Sequence, residues 1–401
     1  MTRKERLMRT FAGKTVDRPA VSFYEIDGFN QNPEDTAPCN ICSDPSDDPS
    51  GHPLLITDPF NIYSDPSWHP LLALACEKSD VIATTGTSIA DNGRTVNITP
   101  KEHIESNTEE VGDRRITKTQ VRCKDRVLSS ETVRERNIDT TWTTEHLLKD
   151  TDDLKAWLDL PLPEFNGEVE TKKVLDLEKR IGDAGCIMLN TLDPLAVIGP
   201  LFEMGTYTVI ALTEQDLFSK ALDKALIFLE WQLEMISKAL PGRIWRIIGP
   251  EYASPPYLPP ELFKKYVTKY DRHLVDIIHK HGGYARLHSH GNLKEILDYI
   301  VDTGCMGLDP IEPPPQGDVE LSYVRQNYGK ELVLFGNLEA SDLENLSQEK
   351  FREKIKIAIS EGTTGEGKGF VLMPSASPYG RKLSSVAMKN YETMIEEIEK
   401  L

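Results

Sequence analysis

Two hydrophobic rhythms alternate along this chain. Short, nearly continuous apolar runs read as buried strands. Between them lie longer stretches whose apolar residues recur every three or four positions, the mark of amphipathic helices. The strand-like runs fall at residues 20–25, 80–85, 185–190, 243–249, 284–288, 306–309, 332–336 and 369–373. Helices are expected over 3–13, 68–76, 150–158, 214–238, 260–281, 292–303, 318–328, 347–361 and 383–400. Asp150 followed by Thr151, Asp152 and Asp153 supplies N-cap chemistry for the third of these helices. Repeated strand–helix units with strands apolar on both faces imply a parallel sheet. About eight such strands close a (β/α)8 TIM barrel. An open doubly wound sheet is the alternative, but no GxGxxG or GxxxxGK[ST] loop supports it.

Two segments break the rhythm. Residues 28–70 are rich in Pro, Asp, Ser and Asn and form a long N-terminal loop of the kind that often carries function. Within residues 94–143, the runs 94–98, 115–121 and 127–133 alternate apolar and polar residues between turns. That pattern predicts antiparallel strands with one wet face, so residues 94–143 are expected to be a β-hairpin insertion into a single domain spanning 1–401.

Composition narrows the class. The chain has 401 residues, 39% of them hydrophobic, and a formal net charge of −18 from 46 basic and 64 acidic residues. Such a balance disfavours nucleic acid and anionic membrane surfaces as partners. There is no signal-peptide pattern and no apolar run long enough to span a bilayer, so a soluble, cytoplasmic protein is expected. The six cysteines (Cys39, Cys42, Cys76, Cys123, Cys186 and Cys305) are scattered, as for free thiols in a reducing compartment. Cys39 and Cys42 form a lone CxxC, a weak signal without a second ligand pair.

Chemistry gathers where a barrel would place it, after the C-terminal ends of the strands. In Tyr284-Ala285-Arg286-Leu287-His288-Ser289-His290-Gly291-Asn292 the two histidines are two residues apart and so share a face. Other strand ends carry Glu251, Glu312 and the pair Asn337 and Glu339. Two imidazoles with one of Glu251, Glu312 or Glu339 would make a three-ligand zinc site with an open position. Glu251 and Glu312 are the preferred third ligands because their loops flank the histidine strand. The prolines at 313–315 stiffen the loop that carries Glu312.

With these residues in view, the chain resembles the uroporphyrinogen decarboxylase superfamily, and within it the methyltransferase branch that works with corrinoid proteins. The resemblance rests on Lys4-Glu5-Arg6, Asp17-Arg18-Pro19, the insertion, the segment from Leu258 to Tyr266, His288-Ser289-His290-Gly291-Asn292, Gly336-Asn337-Leu338-Glu339 and the Gly-Phe-Val-Leu strand near the end. It covers most of the chain and implies the same barrel. Two departures matter. Porphyrinogen decarboxylases carry an arginine-rich segment where this chain has Ser22-Phe23-Tyr24-Glu25-Ile26-Asp27, which disfavours that reaction. The branch's coenzyme M enzymes bind zinc through His-x-Cys and a later cysteine. Here His288 matches the histidine, His290 replaces the first cysteine, and Ser375-Ala376-Ser377 stands where the second would fall.

The resemblance therefore implies transfer of a methyl group from a small methylated donor to the cobalt of a partner corrinoid protein. Zinc held by imidazole and carboxylate, without thiolates, is a harder Lewis acid suited to an oxygen leaving group, as in O-demethylation of a methoxylated aromatic. Glu339 or Asp318 would donate a proton. Tyr24, Phe23, Trp68 and Asn337 are the candidates for holding the donor. The expected partners are the corrinoid protein and the small molecule, with a homodimer left open. The alternatives are a metal-free decarboxylase or lyase acting on a small carboxylate, and a non-catalytic binding protein on the same barrel.

Overall fold

The computed structural model describes residues 1–29 and 60–401. Eight strands make one curled, wholly parallel, TIM-like sheet: β1 (Ala20–Val21), β2 (Val81–Thr85), β3 (Gly185–Leu192), β4 (Ile244–Ile248), β5 (Tyr284–His288), β6 (Gly307–Asp309), β7 (Val333–Leu338) and β8 (Phe370–Pro374). All eight are the strands expected from the apolar runs. Their order is β1-β8-β7-β6-β5-β4-β3-β2, so β1 and β2 are the two ends of the ladder. Where a closed barrel would pair those ends, Asp80 bridges them. Its N–H donates to Val21 O at 2.7 Å, and its Oδ2 accepts the Val21 N–H at 2.9 Å.

The interior of the sheet is layered. Ile82, Met188, Ile244, Phe335, Val371 and Met373 form an apolar floor, and Leu7 and Phe11 of the helix Arg3–Phe11 pack onto it from the N-terminal face. The strands' other faces point outward to a ring of helices and join the larger core, with Trp245, Leu287, Leu308 and Leu334 buried there. No helix among the described residues is long and apolar enough to cross a membrane.

Three expectations need correction. The first run forms only a two-residue strand, because the chain leaves the sheet after Val21 and Glu25 turns back with φ +56°. The helix expected over 292–303 is confined to Leu297–Val301, since Gly291, at φ +99°, and the residues after it shape a loop at the mouth. The insertion is larger than three strands. Ile104–Val111, Arg114–Arg122, Val127–Glu135 and Thr141–Glu145 form a four-stranded antiparallel sheet, while Arg94–Thr95 joins a small sheet with Ile89–Asp91 and Glu168–Val169. Ile104–Val111 is exposed along nearly its whole length, so it carries no apolar alternation to read. Its register comes from its neighbour, with Ser106 bonded to Thr119 and Thr108 to Thr117, each at 2.9 Å. The described cysteines Cys76, Cys123, Cys186 and Cys305 are free thiols. Cys39 and Cys42 lie outside the described residues.

Candidate active site

Strand β5 has an outward face of Ala285 and Leu287 and an inward face of Tyr284, Arg286 and His288. Arg286 is buried and clamps Asp309 at the end of β6. Its Nη2 donates to Oδ2 at 2.6 Å, and its Nε to Oδ1. His288 Nδ1 lies 3.0 Å from the same Oδ2. Burial alone would raise the Asp309 carboxyl, but Arg286 and His288 outweigh it and hold the group well below the usual carboxylate range. An ionised carboxylate can only accept, so His288 Nδ1 carries a proton.

His290, just past the strand, repeats the arrangement. Its Nδ1 lies 3.0 Å from Glu312 Oε1, three residues beyond Asp309. The two imidazole rings stand 4.7 Å apart and nearly perpendicular, at 87°. Burial lowers the His290 pKa, but Glu312, Asp309 and Glu251 outweigh it and raise it above its ordinary value. A mouth cavity of about 470 Å³ opens here, lined by His290, Glu312, Glu251, Met204, Tyr252 and Tyr257 among others. Glu251 follows β4, where its Oε2 accepts the Gly249 N–H at 3.1 Å. Gly249 sits at φ +137°, and a Cβ there would fall 1.9 Å from Asp193 Oδ1, so only glycine fits this turn.

A second buried cluster adjoins the first. Arg246, on β4 and level with Arg286 in register, donates to the Tyr24 phenol oxygen at 2.8 Å, to Glu25 Oε1 at 2.5 Å and to Asn190 Oδ1 at 3.1 Å. Two guanidiniums side by side are tolerated because each has its own carboxylate. Burial pushes the Tyr24 phenol above its ordinary pKa, and its ring lies 6.1 Å from that of His288.

Glu339 follows β7 and is largely buried, with Oε1 unpartnered among the described residues. Burial, then the charges of Glu312 and Asp342, push its pKa up to about 7. Asn337 and Glu339 line a smaller cavity of about 230 Å³ together with Phe351 and Lys354 of the helix Gln348–Thr363.

The structure thus brings together His288, His290, Glu251 and Glu312, with Glu339 and Tyr24 close by. Other expected site residues lie elsewhere. Phe23 is core, its ring centroid 4.6 Å from that of Tyr391 on the last helix. Trp68 is fully buried, with its indole N–H on Arg381 O at 2.9 Å. Both are large rings on segments that pack under the sheet, where burial is worth more than exposure to a ligand. Asp318 accepts the Lys294 N–H at 3.0 Å and ties two surface loops together. Arg246, Asn190 and Asp309 were not singled out from sequence. The signal was a charged residue inside an apolar strand, as in Ile244-Trp245-Arg246-Ile247-Ile248, since a buried charge demands a partner.

As donors, these residues suit a metal in kind. Each imidazole has Nδ1 on a carboxylate, the outer-shell bond that orients metal-binding histidines through Nε2. Among the described residues, however, no three His, Cys, Asp or Glu side chains are grouped as a metal site in their present conformations. Glu312 is engaged with His290 instead.

A curled parallel sheet with charged pairs at its C-terminal rim defines the class, a TIM-like α/β scaffold. Comparison with known proteins narrows it. Residues 211–400, just under half of the chain, match the family model of uroporphyrinogen decarboxylase (URO-D). A solved structure of a methyltransferase from Methanosarcina mazei aligns over 100% of this chain and 99% of its own, with a TM-score of 0.60 at 16% identity. D-psicose 3-epimerase from Clostridium cellulolyticum H10, solved with D-tagatose, aligns over 57% of this chain and 82% of its own, with a TM-score of 0.35 and 10% identity. No curated protein matches the sequence.

Proposed function

We propose that this protein is a methyltransferase that takes a methyl group from a small methylated donor, such as a methoxylated aromatic, and passes it to a partner corrinoid protein. The observation that carries the reading is the pair of carboxylate-anchored imidazoles, His288–Asp309 and His290–Glu312, of which His290 and Glu312 line a cavity of about 470 Å³ with Tyr252 and Tyr257. His288 and His290, with Glu251 or Glu312 turned inward as third ligand, would hold zinc. When bound, that metal supplies a Lewis acid for the departing oxygen. The chain's own residues do the remaining work. Tyr252 and Tyr257 flank the donor, Asp309 fixes the His288 imidazole, Glu312 fixes His290 where Glu251 is the third ligand, and Glu339 supplies the proton that the leaving alkoxide or phenolate needs. A full-length fold shared with a methyltransferase agrees with this assignment.

Decarboxylation of a small carboxylate draws support from Arg246 and Arg286, which face the interior. Both guanidiniums are already paired with carboxylates of the protein, which leaves less positive charge for a substrate.

The test is metal content by plasma mass spectrometry on the purified protein and on a His288→Ala, His290→Ala double variant, followed by demethylation assays with a Co(I) corrinoid protein. About one zinc per chain, absent from the double variant, together with methyl transfer from a methoxylated aromatic is the expected result. Protein that takes up no zinc on incubation and transfers no methyl group would overturn the proposal.

A further inference from the structure

A second cavity, of about 410 Å³, lies at the opposite, N-terminal face of the sheet. Its walls come from three separate elements: the loop 13–19 that leads into β1, Arg325 of the helix Leu321–Tyr328, and the loop 362–369 that leads into β8. In a chain of formal charge −18 the cations here are a local surplus. Lys14, Arg18, Arg325 and Lys368 line the cavity, with Asp17 the one acidic residue on its wall. Asp17 is taken by Arg6 at 2.7 Å, and Arg18 by the buried Asp80 at 2.9 Å. Those charges offset one another.

The other three cations have no carboxylate among the described residues. Arg325 is only 6% exposed, yet its guanidinium donates just to backbone carbonyls, Nε to Thr364 O at 3.0 Å and Nη1 to Lys368 O. Lys368 Nζ donates to the Glu331 carbonyl at 2.6 Å, and Lys14 is exposed. A buried guanidinium without a counter-charge is costly, and burial pulls Arg325 below its ordinary pKa. Glycine shapes the wall, since a Cβ on Gly367 would lie 2.9 Å from Arg325 Nη1. The loop can therefore lie directly on the guanidinium.

We propose that this cavity is an anion site that takes the phosphate group of a small molecule, with Arg325, Lys368 and Lys14 converging on it. Cations approaching from three directions suit a tetrahedral oxyanion better than a planar carboxylate. The site lies on the face away from the imidazoles and does not depend on the methyl-transfer reading. An occupant would bind the ends of three elements together and stabilise the fold.

Calorimetric titration and thermal unfolding of the full chain with inorganic phosphate and with glycerol phosphate, against chloride at equal ionic strength, test the proposal. Saturable binding and a rise in Tm are expected, with binding weakened about tenfold or more in Lys14→Glu and in Lys368→Met. Lys14 is exposed and its side chain makes no hydrogen bond among the described residues, so Lys14→Glu reports on binding even where Arg325→Lys fails to fold. Tighter binding of the monoester would identify a phosphorylated metabolite, rather than free phosphate, as the occupant. No saturable effect beyond chloride, or equal binding by wild type and both lysine variants, would overturn the proposal.

Discussion

In the proposed reaction Glu339 supplies the proton. A carboxyl that titrates near 7 can be protonated at neutral pH and still give its proton up. The shift comes first from burial and then from Glu312 and Asp342. If Glu339 is the proton donor, turnover falls as pH rises through about 7, because the acid form is lost. Glu339→Gln should remove that limb and lower turnover by about 10²-fold or more. A pH–rate profile that keeps the same limb in the variant would assign it to another group. Arg246 makes the complementary point. Its three donors are spent on Tyr24, Glu25 and Asn190, and the turn at Glu25 is what brings two of these acceptors to it.

At the scale of elements, two motifs that carried the family resemblance turn out to be structural. Arg6, Asp17 and Arg18 meet Asp80 in a network that holds the two unpaired end strands together. Asp80 is fully buried, its side chain accepting from Arg6, Arg18 and the Val21 N–H. Asp80→Ala would strip Arg18 of its carboxylate and Arg6 of one of two, and open the seam. A loss of about 3 kcal/mol in chemical denaturation is expected, the lower end for breaking a buried pair. A loss below about 1 kcal/mol would mean that the seam is held elsewhere. The histidine strand is the contrasting element. Its alternation was legible because a strand sends every second residue to one side, and Arg286, His288 and the helix-facing Ala285 and Leu287 obey it.

Over the whole molecule, buried acid sets the response to pH. Asp193 and Asp271 are fully buried, and neither Asp271 oxygen nor Asp193 Oδ2 has a hydrogen-bond partner among the described residues. Burial pushes both well above the usual range, helped by the charge of Asp271 on Asp193 and of Glu251 on Asp271. A folded-state pKa above the unfolded value of ~4 leaves stability complete below that value and erodes it as pH rises through the folded pKa. Glu339 acts in the same sense. The urea midpoint should therefore fall as pH rises above the unfolded value of ~4 and through about 7, where Glu339 titrates, and Asp271→Asn should flatten the slope. An unchanged slope in the variant would show that the pair does not titrate in this range. Sequence by itself determined the eight strands, most of the longer helices between them and the shared face of His288 and His290, because each is a record of burial repeated at a local period. Tertiary structure alone decided that Glu312 binds His290, that Asp309 joins Arg286 to His288, that Phe23 and Trp68 belong to the core, and that Asp80 bridges the end strands. Those outcomes depend on strand register and loop paths that bring distant residues together, and no local pattern encodes a partner twenty or more positions away.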